Sequence, residues 1–227
     1  MISSPQTAEL RGLAENLVVL ARSCGADEAE VAIGDGSEFC ADVRLGKVEN
    51  LVEAGSRHLG LKIIKGQKTA YATSSDLAEE TLQHLVRNAV QRAAFGSQDV
   101  CAGLAPAPTE IIDISALNLY DPRLKEIETA TKISLALETE RVALEDKRIT
   151  NSHGASFATS EVTTILANSN GFVGSYDQTF CSLSIGLQGG GTDDRVEDYW
   201  FSTERFFDNL ETPDAIARKA VERTVRQ

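Results

Sequence analysis

The chain has 227 residues, 42% hydrophobic and 25% charged, enough apolar material to bury a core and an ordinary balance for a globular protein. Its 22 Lys and Arg against 34 Asp and Glu give a formal charge of -12 with no basic run, so the phosphate neutralisation that dominates nucleic-acid affinity is missing. No apolar run approaches the roughly 20 residues of a membrane span, the N-terminus lacks a signal-peptide layout, and four scattered cysteines without a C-x-x-C pair suit reduced thiols; a cytoplasmic protein that meets neither nucleic acid nor membrane is expected.

Ser4-Pro5 reads as an N-cap followed by proline at the first helical position, and Leu10, Leu13, Leu17 and Leu20 keep helical spacing to a stop at Cys24-Gly25. From Glu30 to Ser74 the period falls to two, through Val31 and Ile33, Phe39, Ala41 and Val43, then Leu59, Leu61 and Ile63. Gly34-Asp35-Gly36, Gly46-Lys47, Gly55-Ser56 and Gly66-Gln67 punctuate this stretch, which predicts a meander of about five strands. Asp76 with Glu79 reads as a capping box with aspartate in the serine role, opening a second helix whose stripe is Leu77, Leu82, Leu85, Val86, Ala89, Val90 and Ala93. Residues 101–118, with Pro106 and Pro108 among small residues and no periodicity, read as a linker. Asp121-Pro122 repeats the cap-plus-proline signature and predicts a third, long helix running through Leu124, Ile127, Leu137 and Leu144.

The stretch Glu161 to Gln188 then predicts a long antiparallel hairpin. Val162, Thr164 and Leu166 alternate with Thr163, Ile165 and Ala167 on one arm, Cys181, Leu183, Ile185 and Leu187 with Ser182, Ser184 and Gly186 on the other. Between them lies Asn168-Ser169-Asn170-Gly171, where an Asn-Gly step predicts two positive φ angles in a tight turn. Gly174-Ser175-Tyr176 reads as a bulge in the far arm. After the Gly189-Gly190-Gly191 corner come a short aromatic strand, Val196 to Phe201, and a fourth helix starting at Thr212-Pro213. That helix keeps its stripe to Val225 without a glycine cap, so it either frays or belongs to a longer protein. The expected fold is α+β, an antiparallel meander and a long hairpin packed against four amphipathic helices, the first two on the meander and the other two on strands 149–201. Its expected domains are 1–100 and 119–227, joined by the linker 101–118.

Chemistry-bearing residues are sparse. His58, His84 and His153 do not begin an H-E motif and no two lie one helical turn apart, so no metal ligands and no catalytic residues are assigned. His84 reads as a surface residue. Ser152 and His153, adjacent in an extended segment, should point to opposite faces and not form a nucleophile pair. Asp193, Asp194, Glu197 and Asp198 lack the ligand spacing of a calcium loop and read as solvated. Tyr199, Trp200 and Phe201 alternate across a strand; Tyr199 and Trp200 are the candidates for a peptide or partner contact, with core packing the stronger reading for Trp200. Asn168, Asn170 and Gly171 are structural turn residues.

Val48-Glu49-Asn50 after Gly46, Ser74-Ser75-Asp76 opening a helix, Asn168-Ser169-Asn170-Gly171-Phe172 and Asp198-Tyr199-Trp200-Phe201-Ser202 together resemble the TldD/PmbA family, its PmbA branch more than its TldD branch. Each motif alone is weak; their order and spacing carry the resemblance over nearly the whole chain. Members are roughly twice this length and are also labelled modulators of DNA gyrase, so a C-terminal domain is missing from this chain. The resemblance implies a paired metallopeptidase assembly acting on unfolded or flexible peptides. In it, TldD-type subunits carry a zinc-binding H-E-x-x-x-D-H helix and PmbA-type subunits pair with them without metal ligands. It implies a TldD-like subunit or further copies of the chain as partners, zinc in the TldD-like partner, and no cofactor in this chain. A non-catalytic protein-binding or regulatory module is the alternative.

Overall fold

The computed structural model describes residues 5–106, 113–191 and 193–226. Ser4, Pro108 and Gln227, used in the sequence reading, lie outside them. The protein is α+β. In order come α1 (Pro5–Ser23), β1 (Glu28–Arg44), β2 (Lys47–Lys65), β3 (Lys68–Ser74), α2 (Glu79–Ala93), α3 (Thr129–Ala143), β4 (Ile149–Asn168), β5 (Val173–Gly189), β6 (Val196–Glu204) and α4 (Pro213–Val225). The strands form one sheet in the order β3-β2-β1-β4-β5-β6, with β2–β3 and β5–β6 antiparallel.

The meander holds three strands, not five. Leu45-Gly46 and Gly66-Gln67 are tight turns with positive φ at all four residues, the twist-matched geometry of two-residue hairpins. Gly34, Gly36 and Gly55 lie inside the strands instead of ending them. Gly34 gives room: a Cβ there would come 2.2 Å from Cε1 of His58, whose ring packs over it.

One compact unit comprises Met1–Gly36, Gly55–Asn118 and Val162–Asp177. Its core gathers Leu10, Leu17 and Val18 of α1, Val31 and Ile33 of β1, Leu59, Leu61 and Ile63 of β2, and Leu82, Val86 and Val90 of α2. Each buried aliphatic side chain of this size contributes about 1.5–3 kcal/mol by leaving water. The capping box fails in detail. Asp76 accepts from the backbone N–H of Ala78 and from the Thr81 hydroxyl, while Glu79 turns to Gln83. The start of the 101–118 segment is tied down by Lys62 Nζ on the Gly103 carbonyl, the Leu104 N–H on Glu28, and Asn170 Nδ2 on the Ala105 carbonyl.

The hairpin turn also belongs to this unit, and its chemistry differs from expectation. Of its residues only Gly171, at φ 87°, has a positive φ. Asn168, 7% exposed, holds the turn through its side chain instead, its Oδ1 accepting from the N–H groups of Asn170 and Phe172. The Gly171 N–H donates to the Asn168 carbonyl, closing a turn followed by a left-handed glycine. Ser169 exchanges two hydrogen bonds with the Ala29 backbone. Beyond the turn β5 runs unbroken through Gly174, Ser175 and Tyr176.

The other unit comprises Ser37–Ala54, Leu119–Glu161 and Gln178–Gln227. Phe39, Ala41 and Val43 of β1, Ala155 and Phe157 of β4, and Leu183, Ile185 and Leu187 of β5 face Ala136, Val142 and Ala143 of α3 and Ile216, Ala217, Ala220 and Val221 of α4 in its core. The predicted third helix is broken: Asp121 caps a 3-10 turn at Pro122–Glu126, Ile127 and Glu128 are extended, and α3 begins at Thr129. Asp121, 1% exposed, accepts from the N–H groups of Arg123 and Phe207 and from the Arg123 guanidinium. Burial alone would raise its carboxyl, but these hydrogen bonds overcome burial and leave it below the usual range. Thr212 caps α4 through the Ala215 N–H, as its sequence suggested.

Candidate functional site

Antiparallel pairing sets Tyr199 opposite Gly186, Phe201 opposite Ser184 and Thr203 opposite Ser182. These six residues share one face of the β5–β6 pair, because side chains alternate along each strand. Asp198, Trp200 and Ser202 share the other face with the buried Leu187, Ile185 and Leu183, towards α4. The sequence candidates Tyr199 and Trp200 are thereby separated. Trp200 packs against the core, its ring under Lys219 Nζ at 4.8 Å and beside Arg223 at 5.4 Å. Arg223 is held in turn by Asp198, whose carboxyl is kept below its ordinary range by the Tyr199 N–H and by Arg223 itself.

Tyr199 is 60% exposed and stacks on Phe201, 49% exposed, with centroids 6.1 Å apart and planes 16° from parallel. Stacked aromatic pairs contribute roughly 0.5–1.5 kcal/mol beyond their burial. The two rings stand over a floor of Gly186, Ser184 and Ser182, which cannot reach up to cover them.

A backbone irregularity enlarges this face. In β4 the buried positions run Ser152, Ala155 and Phe157, a three-residue step followed by the regular two. Gly154 sits within the step at φ 107°, and its N–H donates to the Ser152 hydroxyl. Ser152 is fully buried and His153 exposed, so their side chains diverge. His153 instead packs against Gly186, where a Cβ would meet its own at 3.2 Å, and its Nε2 lies 3.5 Å from Glu197, which also pairs with Arg195. The face therefore carries an imidazole, a carboxylate and two aromatic rings in adjacent strands.

In the same unit, Cys40 lies 3.4 Å from both Asp42 and the Ser156 hydroxyl, and Asn50 donates to Asp42 at 3.0 Å. The Ser156 hydroxyl holds the Asp42 carboxyl below its usual range, whereas burial pushes the Cys40 thiol up. A thiol protonated at neutral pH is a poor nucleophile, so this arrangement is polar packing. Sequence reasoning missed it and the His153–Glu197 contact, because both join residues from different strands. A groove of about 440 Å³ between α1 and α2 has mostly leucine walls, with Asn16 and Gln83 at its side and Glu79 as a single carboxylate among its lining residues.

Zinc does not fit the residues described. A catalytic zinc needs three protein ligands around an open position, and among the described residues no group of three or more His, Cys, Asp or Glu side chains could hold an ion. His58 packs on Gly34, His84 is exposed on α2, and His153 has Glu197 at 3.5 Å. No chemical step is assigned to a metal here.

Residues 29–93 match the model of PmbA/TldA metallopeptidase domain 1 and residues 122–227 that of the PmbA/TldA metallopeptidase central domain. The metalloprotease PmbA homolog of Haemophilus influenzae is 34% identical over 221 residues, 97% of this chain and 48% of that protein. Metalloprotease PmbA of Escherichia coli O157:H7 is 31% identical over 200 residues, 88% of this chain and 44% of its own length. The chain thus spans about half the length of these curated relatives. Two solved structures share the fold. A candidate modulator of DNA gyrase from Bacteroides thetaiotaomicron has a TM-score of 0.84 at 24% identity, covering 100% of this chain and 51% of that one. TldE from Thermococcus kodakarensis has a TM-score of 0.76 at 17% identity, covering 93% and 47%.

Proposed function

This chain belongs to the PmbA/TldD metallopeptidase family, and we propose on that basis that it is a non-catalytic, PmbA-like part of a cytoplasmic peptidase assembly that processes unfolded peptides. The observation that carries this reading is the match to both family domains, together with PmbA metalloprotease relatives aligned along nearly the whole chain. Among the described residues no helix is long and apolar enough to cross a membrane, which suits a cytoplasmic setting. Zinc belongs, in this reading, to a TldD-like partner, as the family resemblance implies.

The chain's own contribution is to hold an extended peptide. Tyr199 and Phe201 present flat apolar area at low entropic cost. The hydroxyls of Ser182 and Thr203, 3.0 Å apart on the same face, can exchange their mutual hydrogen bond for bonds to a peptide backbone. Trp200, clamped by Lys219 and Arg223, braces the strand from the core side.

The test is metal analysis of the purified chain, followed by cleavage of an unfolded peptide by the chain, by a TldD-like partner, and by the two mixed. Cleavage that rises on mixing, with zinc in the partner, is the expected result. One tightly held zinc per chain, or chelator-sensitive cleavage by the chain alone, overturns the reading. Binding of partner or peptide with no effect on cleavage would favour the protein-binding module.

A further inference from the structure

The groove between α1 and α2 lies in the other compact unit from Tyr199 and Phe201, and no step of the proposed function uses it. Leu13, Leu17 and Leu20 stand on one ridge of α1, at i, i+4 and i+7, while Leu77 just before α2 and Leu82 within it form the facing wall. Leu17 and Leu82 are buried, but Leu13, Leu20 and Leu77 are only partly so. The groove between them holds about 440 Å³, within the roughly 300–1,000 Å³ of ligand sites.

We propose that this groove docks the apolar face of a basic amphipathic helix from another protein. The walls select a helix. Their backbone N–H and C=O groups are used within α1 and α2, so an extended peptide laid in the groove would find no partners for its own. A helix arrives with its backbone already satisfied and needs only side-chain packing. Leu13 to Leu20 spans roughly 10 Å along α1, the length over which a docked helix presents leucines at i, i+4 and i+7. The charges select a basic occupant. Glu79 is the single charged residue lining the groove, with exposed Asp76 and Glu80 near it in sequence, and none of the three pairs with a basic side chain among the described residues. Arg87, one turn beyond Gln83 on α2, reaches back to that amide at 3.5 Å and leaves the carboxylates uncompensated. An anionic membrane surface would meet these carboxylates and be repelled. The helices of a second copy have their own apolar stripes in their cores.

Fluorescence anisotropy of the 227-residue chain with a labelled synthetic helix tests it. The probe is alanine-based and about 16 residues long, enough for measurable helicity, with leucines at i, i+4 and i+7 on one face and lysines on either side of them. Saturable binding is expected, with affinity falling as salt rises. Glu79→Lys should weaken it by about fivefold or more, and should improve binding of a probe in which glutamates replace the lysines. Leu20→Lys, in the wall, should abolish binding; where circular dichroism shows that variant unfolded, Asn16→Lys at the exposed side serves in its place. Val19→Ser, on α1 but outside the groove, should change nothing. Tyr199→Ser should leave the probe bound while it weakens retention of an unfolded peptide, so the two sites fail separately. No binding, equal binding of a probe whose leucines are scattered around the helix, or a Glu79→Lys chain that keeps the original preference would each overturn the proposal. So would competition by an unfolded peptide, by anionic vesicles, or by a C-terminal half like that of the PmbA relatives.

Discussion

Replacing Gly154 by alanine should destabilise the protein while adding a residue of higher ordinary preference. At φ 107° an L side chain is strained, and the new Cβ would lie 2.7 Å from the Val43 carbonyl oxygen, a backbone atom that cannot swing aside. Strained backbone of this kind costs roughly 1–3 kcal/mol, and the smaller entropy of the unfolded alanine chain returns only about 0.4–1 kcal/mol. Relief by movement would pull β4 away from β1 at the point where Ser152 enters the core and His153 leaves it. The net loss should be about 1–2 kcal/mol, or roughly 2–8 °C in melting temperature for a chain of this size. Denaturant unfolding followed by the fluorescence of the 1 tryptophan, Trp200, reads it directly, since that residue packs in the same core. Gly12→Ala is the control. Gly12 lies inside α1 with nothing within 4 Å of an added Cβ, so there the same change should stabilise by up to about 1 kcal/mol. A Gly154→Ala protein within about 0.3 kcal/mol of wild type, well below the strain expected of such a residue, would refute the account of the bulge.

Asp121→Asn should cost about 1–3 kcal/mol, because an amide cannot satisfy four converging donors. Since the Asp121 carboxyl is depressed in the fold, its contribution is complete above the unfolded value near 3.8 and is lost as pH falls through the lower folded value; the variant should have a flatter acid limb in a stability-against-pH series. Burial pushes the Cys181 thiol to about 11, so it should react with a thiol reagent at pH 8 at least about tenfold more slowly than exposed Cys101. The same shift favours the folded state below pH 9 and fades as pH rises through about 11. Tyr199→Ser, losing the stack on Phe201, should cost no more than about 1.5 kcal/mol of stability yet weaken retention of an unfolded peptide, whereas Trp200→Ala should cost about 3 kcal/mol by opening the core beneath α4. Equal losses for the two would contradict their placement on opposite faces.

Much of this was legible in the residues. The helices were marked by leucine spacing and, at Thr212-Pro213, by a cap that works as read. Period two in Cys181, Leu183, Ile185 and Leu187 named the buried face of β5 correctly. What failed was local and had a physical cause. Gly34 was read as punctuation but makes room for His58, and Gly154, on which no reading rested, re-phases a strand; both needs are set by neighbours distant in sequence. The 121–144 helix was read through because Asp121 does cap a helical turn; that carboxylate also binds Phe207, a tertiary demand that no periodicity shows. The exposed partner of Tyr199 proved to be Phe201, two residues on, and the contact of His153 with Glu197 depends on a bulge that shifts the alternation by one.

The guarded edge of the sheet sets a limit on growth. With the Tyr71 carbonyl held by Arg92 and Lys68 bridged to Gln98, β3 offers an incoming strand little free backbone, and a strand that recruits no other cannot seed a fibre. Arg92 and Gln98, far from any candidate chemistry, thus guard the chain against its own aggregation. Removing them should raise aggregation before it disturbs the fold.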